Sequence, residues 1–172
     1  MSIIENFLAE YKNYIFVETG TYKGDGVQMA LDAGFPLVIS IEAEPTLWGR
    51  CFNRFADNLN VICLHGDSTR MLGETIQGFN VPITFFLDAH PCGDAYFGEG
   101  NPLVRTYQGH SSIEAELDQI ARHHIKRHTI MIDDWKVFGS SKIIEKIREI
   151  NRDYNIEYRE GNYKNDILIA SV

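Results

Sequence analysis

The chain has 172 residues, enough for one domain with a proper core and too few for two ordinary ones. It is 44% apolar and 12% aromatic, which excludes a disordered chain. The net charge of −8 argues against a broad phosphate-backbone surface, which needs clustered Lys and Arg. No apolar run reaches the length of a membrane span, and the amino terminus lacks a basic region followed by an apolar one. The expectation is a single cytoplasmic domain over residues 1–172 with no nucleic-acid partner. Arg122, Lys126 and Arg127, clustered with His123, His124 and His128, read as a solvated helix end. The cysteines Cys51, Cys63 and Cys92 are odd in number and form no CxxC pair, which excludes a familiar structural zinc pattern and fits a reducing compartment. Cys51 and Cys63 lie among apolar neighbours and read as core or near-core thiols. Cys92 follows His90 and Pro91 in a loop, with no nameable partner to orient it for catalysis.

In chain order, Ile3 to Tyr11 has apolar residues at helical spacing. Tyr14 to Val17 is a first strand, followed by a glycine turn and a helix from about Gly26 to Ala33 that Gly34 and Pro36 stop. Leu37 to Ile41 is a β-rich run of the kind buried on both faces. Pro45 opens a helix over Thr46 to Phe55. Val61 to Leu64 predicts a third strand, Thr69 to Ile76 a short helix and Ile83 to Leu87 a fourth strand. From Pro91 to His110 the pattern lapses into a glycine-rich, aromatic-dotted loop. A helix over Ser112 to His123 follows, with Ser111 and Glu114 at capping-box spacing. Thr129 to Ile132 predicts a fifth strand and Ser141 to Asn151 an amphipathic helix. Ile156 to Arg159 and Asp166 to Ser171 predict two last strands joined by a hairpin loop. This alternation predicts an α/β sandwich around a seven-stranded, mostly parallel sheet with an antiparallel last strand.

Glu18, Glu42, Asp67, Asp88 and Asp133 place an acid after each of the first five strands. One such acid is commonplace as a helix cap or turn residue. Five on one rim repel one another unless they meet donors or cations. In open parallel sheets that rim is where ligands bind. The glycines decide among ligands: neither G-x-G-x-x-G nor a Gly-Lys-Ser/Thr phosphate loop is present, whereas acid-x-Gly-x-x-x-Gly is.

Glu18-Thr19-Gly20-Thr21-Tyr22-Lys23-Gly24 resembles the first motif of class I S-adenosylmethionine (SAM) dependent methyltransferases, in the form where a Thr-Tyr pair replaces the middle glycine. The resemblance implies a Rossmann-like fold over the whole chain, with SAM held by Glu18, Thr19, Gly20, Thr21, Gly24, Glu42, Asp67, Ser68 and Asp88. In it Glu42 resembles the acid that holds the ribose hydroxyls, and His65-Gly66-Asp67-Ser68 the motif that contacts the adenine. Carboxylates suit such donors because charged hydrogen bonds are stronger than neutral ones. Gly20 and Gly24 are expected to let the backbone approach the ligand, or else to serve a turn that needs positive φ.

Asp88, Asp133 and Asp134 are similar in placement to the metal triad of macrocin- and mycinamicin-type sugar O-methyltransferases. This implies a divalent metal, Mg or Mn, bound by these three aspartates, and a sugar or glycan acceptor. A cap on the turn at Trp135 is the alternative for the Asp133-Asp134 pair. His90, two residues beyond Asp88, is the natural general base, and Asp88 is the other residue expected at the reacting centre. Tyr96, Phe97 and Tyr107 of the long loop are expected to stack on the acceptor, or to pack beneath the loop. With so little acceptor-binding structure, the remainder is expected from a second copy of the chain or a fused or partner glycosyltransferase domain. Two alternatives stay open: a phenol or catechol acceptor, and a non-catalytic module that binds nucleotide or glycan.

Overall fold

A computed structural model of the chain describes residues 7–89, 112–161 and 163–172. After a 3-10 turn at Leu8–Tyr11, the elements are β1 (Ile15–Thr19), α1 (Asp25–Asp32), β2 (Leu37–Glu42), α2 (Pro45–Arg54), β3 (Val61–His65), α3 (Ser68–Ile76) and β4 (Ile83–Leu87). They continue as α4 (Ile113–Arg122), β5 (Thr129–Ile132), α5 (Trp135–Phe138), α6 (Ser141–Ile150), β6 (Asn155–Arg159) and β7 (Ile167–Ser171). The strands form one sheet in the order β3-β2-β1-β4-β5-β7-β6. β1 to β5 pair in parallel, and β7 runs antiparallel to both β5 and β6. The expected α/β sandwich is what the chain forms, and from β1 onward its strand and helix bounds fall within two residues of the sequence reading; of the helical stretch read over Ile3 to Tyr11, the described part is the 3-10 turn. The short helix α5 went unanticipated: four residues are too few for a periodic signal.

Local chemistry starts the helices. Pro45 opens α2, and the Glu44 carboxylate accepts from Leu47 N at 2.6 Å. Asp67 caps α3 and Ser140 caps α6. The central strands are buried at every position, so they read as continuous apolar runs. One face of the sheet packs against α3, α4 and α6 through residues such as Leu72, Leu117, Ile120 and Ile147. The other packs against α1, α2 and the 3-10 turn through Phe7, Leu8, Val27, Phe35 and Phe55. Among the described residues no helix is long and apolar enough to cross a membrane.

The histidines after α4 are not the solvated helix end expected from the sequence. His123 and His128 are buried, and only His124 of the three is exposed. Ile83 N donates to His128 Nδ1 at 3.1 Å, so the proton of that ring sits on Nε2, which meets His123 Nδ1 at 3.1 Å. His123 Nε2 then faces Ile76 O at 3.1 Å. The pair is a hydrogen-bonded relay joining α3, β4 and the turn before β5. Burial and the neighbouring His123 push the His128 pKa down to about 4. The sequence misled because basic neighbours disguised two rings that the tertiary structure supplies with backbone partners.

Candidate functional site

The carboxyl ends of the parallel strands converge on the turn from Gly20 to Gly24. Backbone bonds carry the ladder one residue beyond the strands: Gly20 N to Ile41 O at 2.9 Å, Asp88 N to Thr19 O at 3.1 Å and Asp133 N to Leu87 O at 3.2 Å. Glu18, Ser40 and Cys63 lie side by side across β1, β2 and β3. Glu18 is buried and its Oε2 accepts from Ser40 Oγ at 2.5 Å; the Thr21 hydroxyl completes the chain at 2.5 Å from Ser40 Oγ. Burial drives the Glu18 pKa well above the ordinary carboxylate range, and the Asp88 and Glu42 charges add to it against the Ser40 bond.

Gly20 and Gly24 both have φ of +82°, the left-handed region, and a Cβ on either would strike protein. At Gly20 it would lie 2.6 Å from Asp88 O, and at Gly24 2.9 Å from Phe55 Cε2. The glycines therefore serve the turn's own conformation and packing. Gly26 is more demanding still, because its missing Cβ leaves the space that Glu18 Oε1 fills, 1.7 Å from where a Cβ would stand. Glu42, also buried, accepts from Tyr22 N at 2.9 Å through Oε2 and from Glu44 N at 2.8 Å through Oε1. Each oxygen keeps a second lone pair for a donor from outside. Asp67 Oδ1 takes both Thr69 N (2.9 Å) and Thr69 Oγ1 (2.6 Å), the ordinary work of a cap. Trp48 stacks on His65, ring centres 5.1 Å apart, walling the β3 side of the rim.

Behind Thr19 lies a buried polar cluster that sequence reasoning missed. Glu116 of α4, fully buried, accepts from Ser68 Oγ at 2.6 Å, so the buried Ser68 faces inward. The Thr19 and Ser112 hydroxyls face the same carboxyl, yet Glu116 Oε2 and Thr19 Oγ1 have no hydrogen-bond partner among the described residues. Burial pushes the Glu116 pKa up to about 7 against those hydroxyls. The available signal was an acid on the apolar face of α4, one position before Leu117.

At the β5 side, Asp133 and Asp134 are joined by a residue the sequence reading did not single out. Asp133, Asp134 and Asp166 each present an oxygen within 4.8 Å of the others. Asp166 is fully buried, receives Tyr163 N on Oδ2 at 3.2 Å, and has no partner on Oδ1 among the described residues. Asp134 is the residue preceding α5 and has a left-handed φ of 49°. Burial and then the Asp88 charge raise the Asp133 pKa to about 7. Asp88 acts on Asp133 as a neighbouring charge, and the carboxylate grouped with the pair is Asp166, the residue before β7. His90, Tyr96, Phe97 and Tyr107 lie outside the described residues, as do Cys92 and Ser111.

No protein-family model matches the chain, and a search of curated proteins finds no match. Solved structures do match. A SAH-bound methyltransferase of Podospora anserina, PaMTH1, has a TM-score of 0.58 at 12% identity over 98% of this chain and 75% of its own. The O-methyltransferase TomG of Streptomyces achromogenes, in complex with SAM, has a TM-score of 0.57 at 12% identity over 99% of this chain and 78% of its own. A TehB-like SAM-dependent methyltransferase of Corynebacterium glutamicum has a TM-score of 0.54 at 13% identity over 91% and 78%. This chain has the class I methyltransferase fold. In that fold the glycine turn after β1 and the acids after β2 to β5 occupy one continuous rim.

Gly26→Ala forces Glu18 out of its place, whereas Gly49, in α2 with nothing within 4 Å of a Cβ, accepts alanine. Urea denaturation is expected to show Gly26→Ala destabilised by about 1–3 kcal/mol and Gly49→Ala stabilised by up to about 1 kcal/mol.

Glu116 supplies a pH dependence of definite sign. Its folded pKa of about 7 lies above the ordinary 4.5, so between these values the folded state binds more protons. Its contribution to stability is full below pH 4.5 and lost as pH rises to about 7. Glu116→Gln keeps an acceptor for Ser68 and carries no charge. It is expected to leave stability unchanged at pH 4.5 and raise it at pH 8, by up to about 3 kcal/mol at about 1.4 kcal/mol per unit, as read from urea midpoints at the two pH values.

Proposed function

We propose that the chain is a SAM-dependent O-methyltransferase that methylates a sugar hydroxyl with the help of a divalent cation, Mg or Mn. The observation that carries this reading is the rim itself: a buried carboxylate at the turn, Glu42, and, across β1 and β4 on the same rim, a converging set, Asp133, Asp134 and Asp166. The free lone pairs of Glu42 suit the ribose hydroxyls of the donor, and Glu18 with Ser40 and Thr21 holds the turn in place from beneath. We assign the adenine to the side of Asp67 and the Ser68 backbone, where Trp48 stacks on His65. The buried Oδ1 of Asp166, without a partner among the described residues, suits a hard cation with oxygen ligands, as do the neighbouring Asp133 and Asp134 oxygens. Such an ion would favour the ionised hydroxyl and fix a vicinal diol.

Methyl transfer forms an oxygen–carbon bond as the sulfur–carbon bond breaks. The sulfonium keeps the electron pair and becomes a thioether, and the hydroxyl proton passes to a base. We assign that base to His90, with Asp88 beside the reacting centre, and acceptor stacking to Tyr96, Phe97 and Tyr107. A phenol or catechol acceptor is the second reading. The small-molecule setting of TomG, a tomaymycin-synthesis enzyme by its description, supports it, and the same carboxylates would hold a catechol diol.

Calorimetric titration with S-adenosylhomocysteine is expected to show binding that Glu42→Ala weakens by about 10–100-fold, through the loss of charge-assisted bonds. Absence of binding to the unaltered protein overturns the donor assignment. Methyl transfer from labelled SAM to a glycan panel and a catechol panel then separates the acceptors, and transfer to neither supports a non-catalytic module.

The cation is tested separately by Mn²⁺ titration followed by electron paramagnetic resonance. Asp133→Asn and Asp166→Asn are each expected to weaken Mn²⁺ by about tenfold or more while S-adenosylhomocysteine still binds. Mn²⁺ affinity indifferent to both changes overturns the metal and leaves the donor assignment standing.

A further inference from the structure

Cys51 and Cys63 are both free thiols, and their sulfurs lie 3.0 Å apart. Non-bonded heavy atoms have their optimum at about 3.5–4.0 Å. Cys51 comes from α2 and is buried; Cys63 comes from β3, at the edge of the sheet, and is partly exposed. Cys63 is next to Ser40 in the row that includes Glu18.

This pair lies beneath the glycine turn. A Cβ on Gly24 would stand 3.6 Å from Cys51 Sγ and 2.9 Å from the Phe55 ring. Arg54, at the end of the same helix, donates to Lys23 O at 2.7 Å and pairs with Asp25 at 2.8 Å. The last turn of α2, the thiols and the Gly20–Gly24 turn are therefore packed as one unit. Tightening α2 on β3 acts on the turn directly.

The two thiols differ in character. The bond from Cys51 holds the Cys63 thiol below its ordinary pKa, and the same contact with burial pushes Cys51 up. Cys63 is then the more acidic thiol and the one within reach of solvent, and Cys51 the buried partner at hand.

We propose that Cys51 and Cys63 form a reversible disulfide under hydrogen peroxide, a redox clamp that ties α2 to β3 under the glycine turn. In the first step the Cys63 thiolate attacks a peroxide oxygen; the O–O bond breaks, Cys63 becomes a sulfenic acid, and the leaving oxygen takes a proton to depart as water. In the second, Cys51 sulfur attacks Cys63 sulfur, the S–S bond forms, and the hydroxyl leaves with the Cys51 proton as a second water. Two thiols lose two electrons, and one peroxide becomes two waters. A dithiol restores the pair by exchange. The clamp is independent of which acceptor the chain methylates.

The test uses the full chain carrying Cys92→Ser, so that only this pair can react. It is titrated with hydrogen peroxide, and non-reducing peptide mapping is expected to find the Cys51–Cys63 disulfide, reversed by dithiothreitol. The bond closes a short loop, with the cysteines twelve positions apart, so the oxidised protein is expected to melt about 5 °C higher or more. Cys63→Ser, verified as folded by circular dichroism, is expected to lose both the crosslink and the shift. Three results overturn the proposal: both thiols still reduced in folded, peroxide-treated protein; Cys63 carried to sulfinic acid without a crosslink; or an oxidised protein melting no higher than the reduced one.

Discussion

The site depends on one buried carboxylate. Glu18 projects from β1 into the space Gly26 leaves open, takes the Ser40 hydroxyl at 2.5 Å, and through Ser40 is linked to Thr21. This joins the end of β1, the middle of β2, the turn and the start of α1 in one polar knot inside an apolar layer. An acid buried this way is costly unless bonded or protonated. Its raised pKa shows the strain that burial and its acidic neighbours place on it. Any residue larger than glycine at position 26 would strike the carboxylate, and without Ser40 the buried oxygen would lose its donor. The turn's geometry is therefore written into side-chain contacts behind it.

The sheet's topology determines which acids meet. Parallel strands deliver the residue after their last position to one rim, which is how Asp88 and Asp133 come to be neighbours once the ladder runs past β4 and β5. An antiparallel strand delivers the residue before its first position to that same rim. Asp166 precedes β7, and β7 lies beside β5, so Asp166 arrives next to Asp133. Burial, and then the charges of Asp88, Asp134 and Asp166, raise the Asp133 pKa, and Asp166 Oδ1 has no hydrogen-bond partner among the described residues. A concentration of negative charge of this kind is suited to a cation, and the electrostatics follow from strand direction alone.

Much of this was legible in the chain. Continuous apolar runs such as Leu37 to Ile41 and Thr129 to Ile132 announce strands covered on both faces, and helical spacing in Ser141 to Asn151 announces a helix laid on them. The acids at strand ends were visible because four follow their runs directly and Asp67 follows His65 and Gly66. Less legible were groups whose partners are remote in sequence. Ser68 and Glu116 are 48 positions apart, and His128 and Ile83 45 apart, and neither pairing leaves a local pattern. Gly20 and Gly24 were noticed for the right place but with an incomplete reason: Asp88 and Phe55 press on them from inside.

The sequence by itself determined the order of strands and helices, the glycine turn and the acids on its rim, because periodicity and turn chemistry are local properties of the chain. Only the tertiary structure decided that Asp166 joins Asp133 and Asp134, that Glu116 lies behind Thr19 and that Cys51 meets Cys63. Strand order, strand direction and helix packing bring those groups together, and none of them is a property of neighbouring residues.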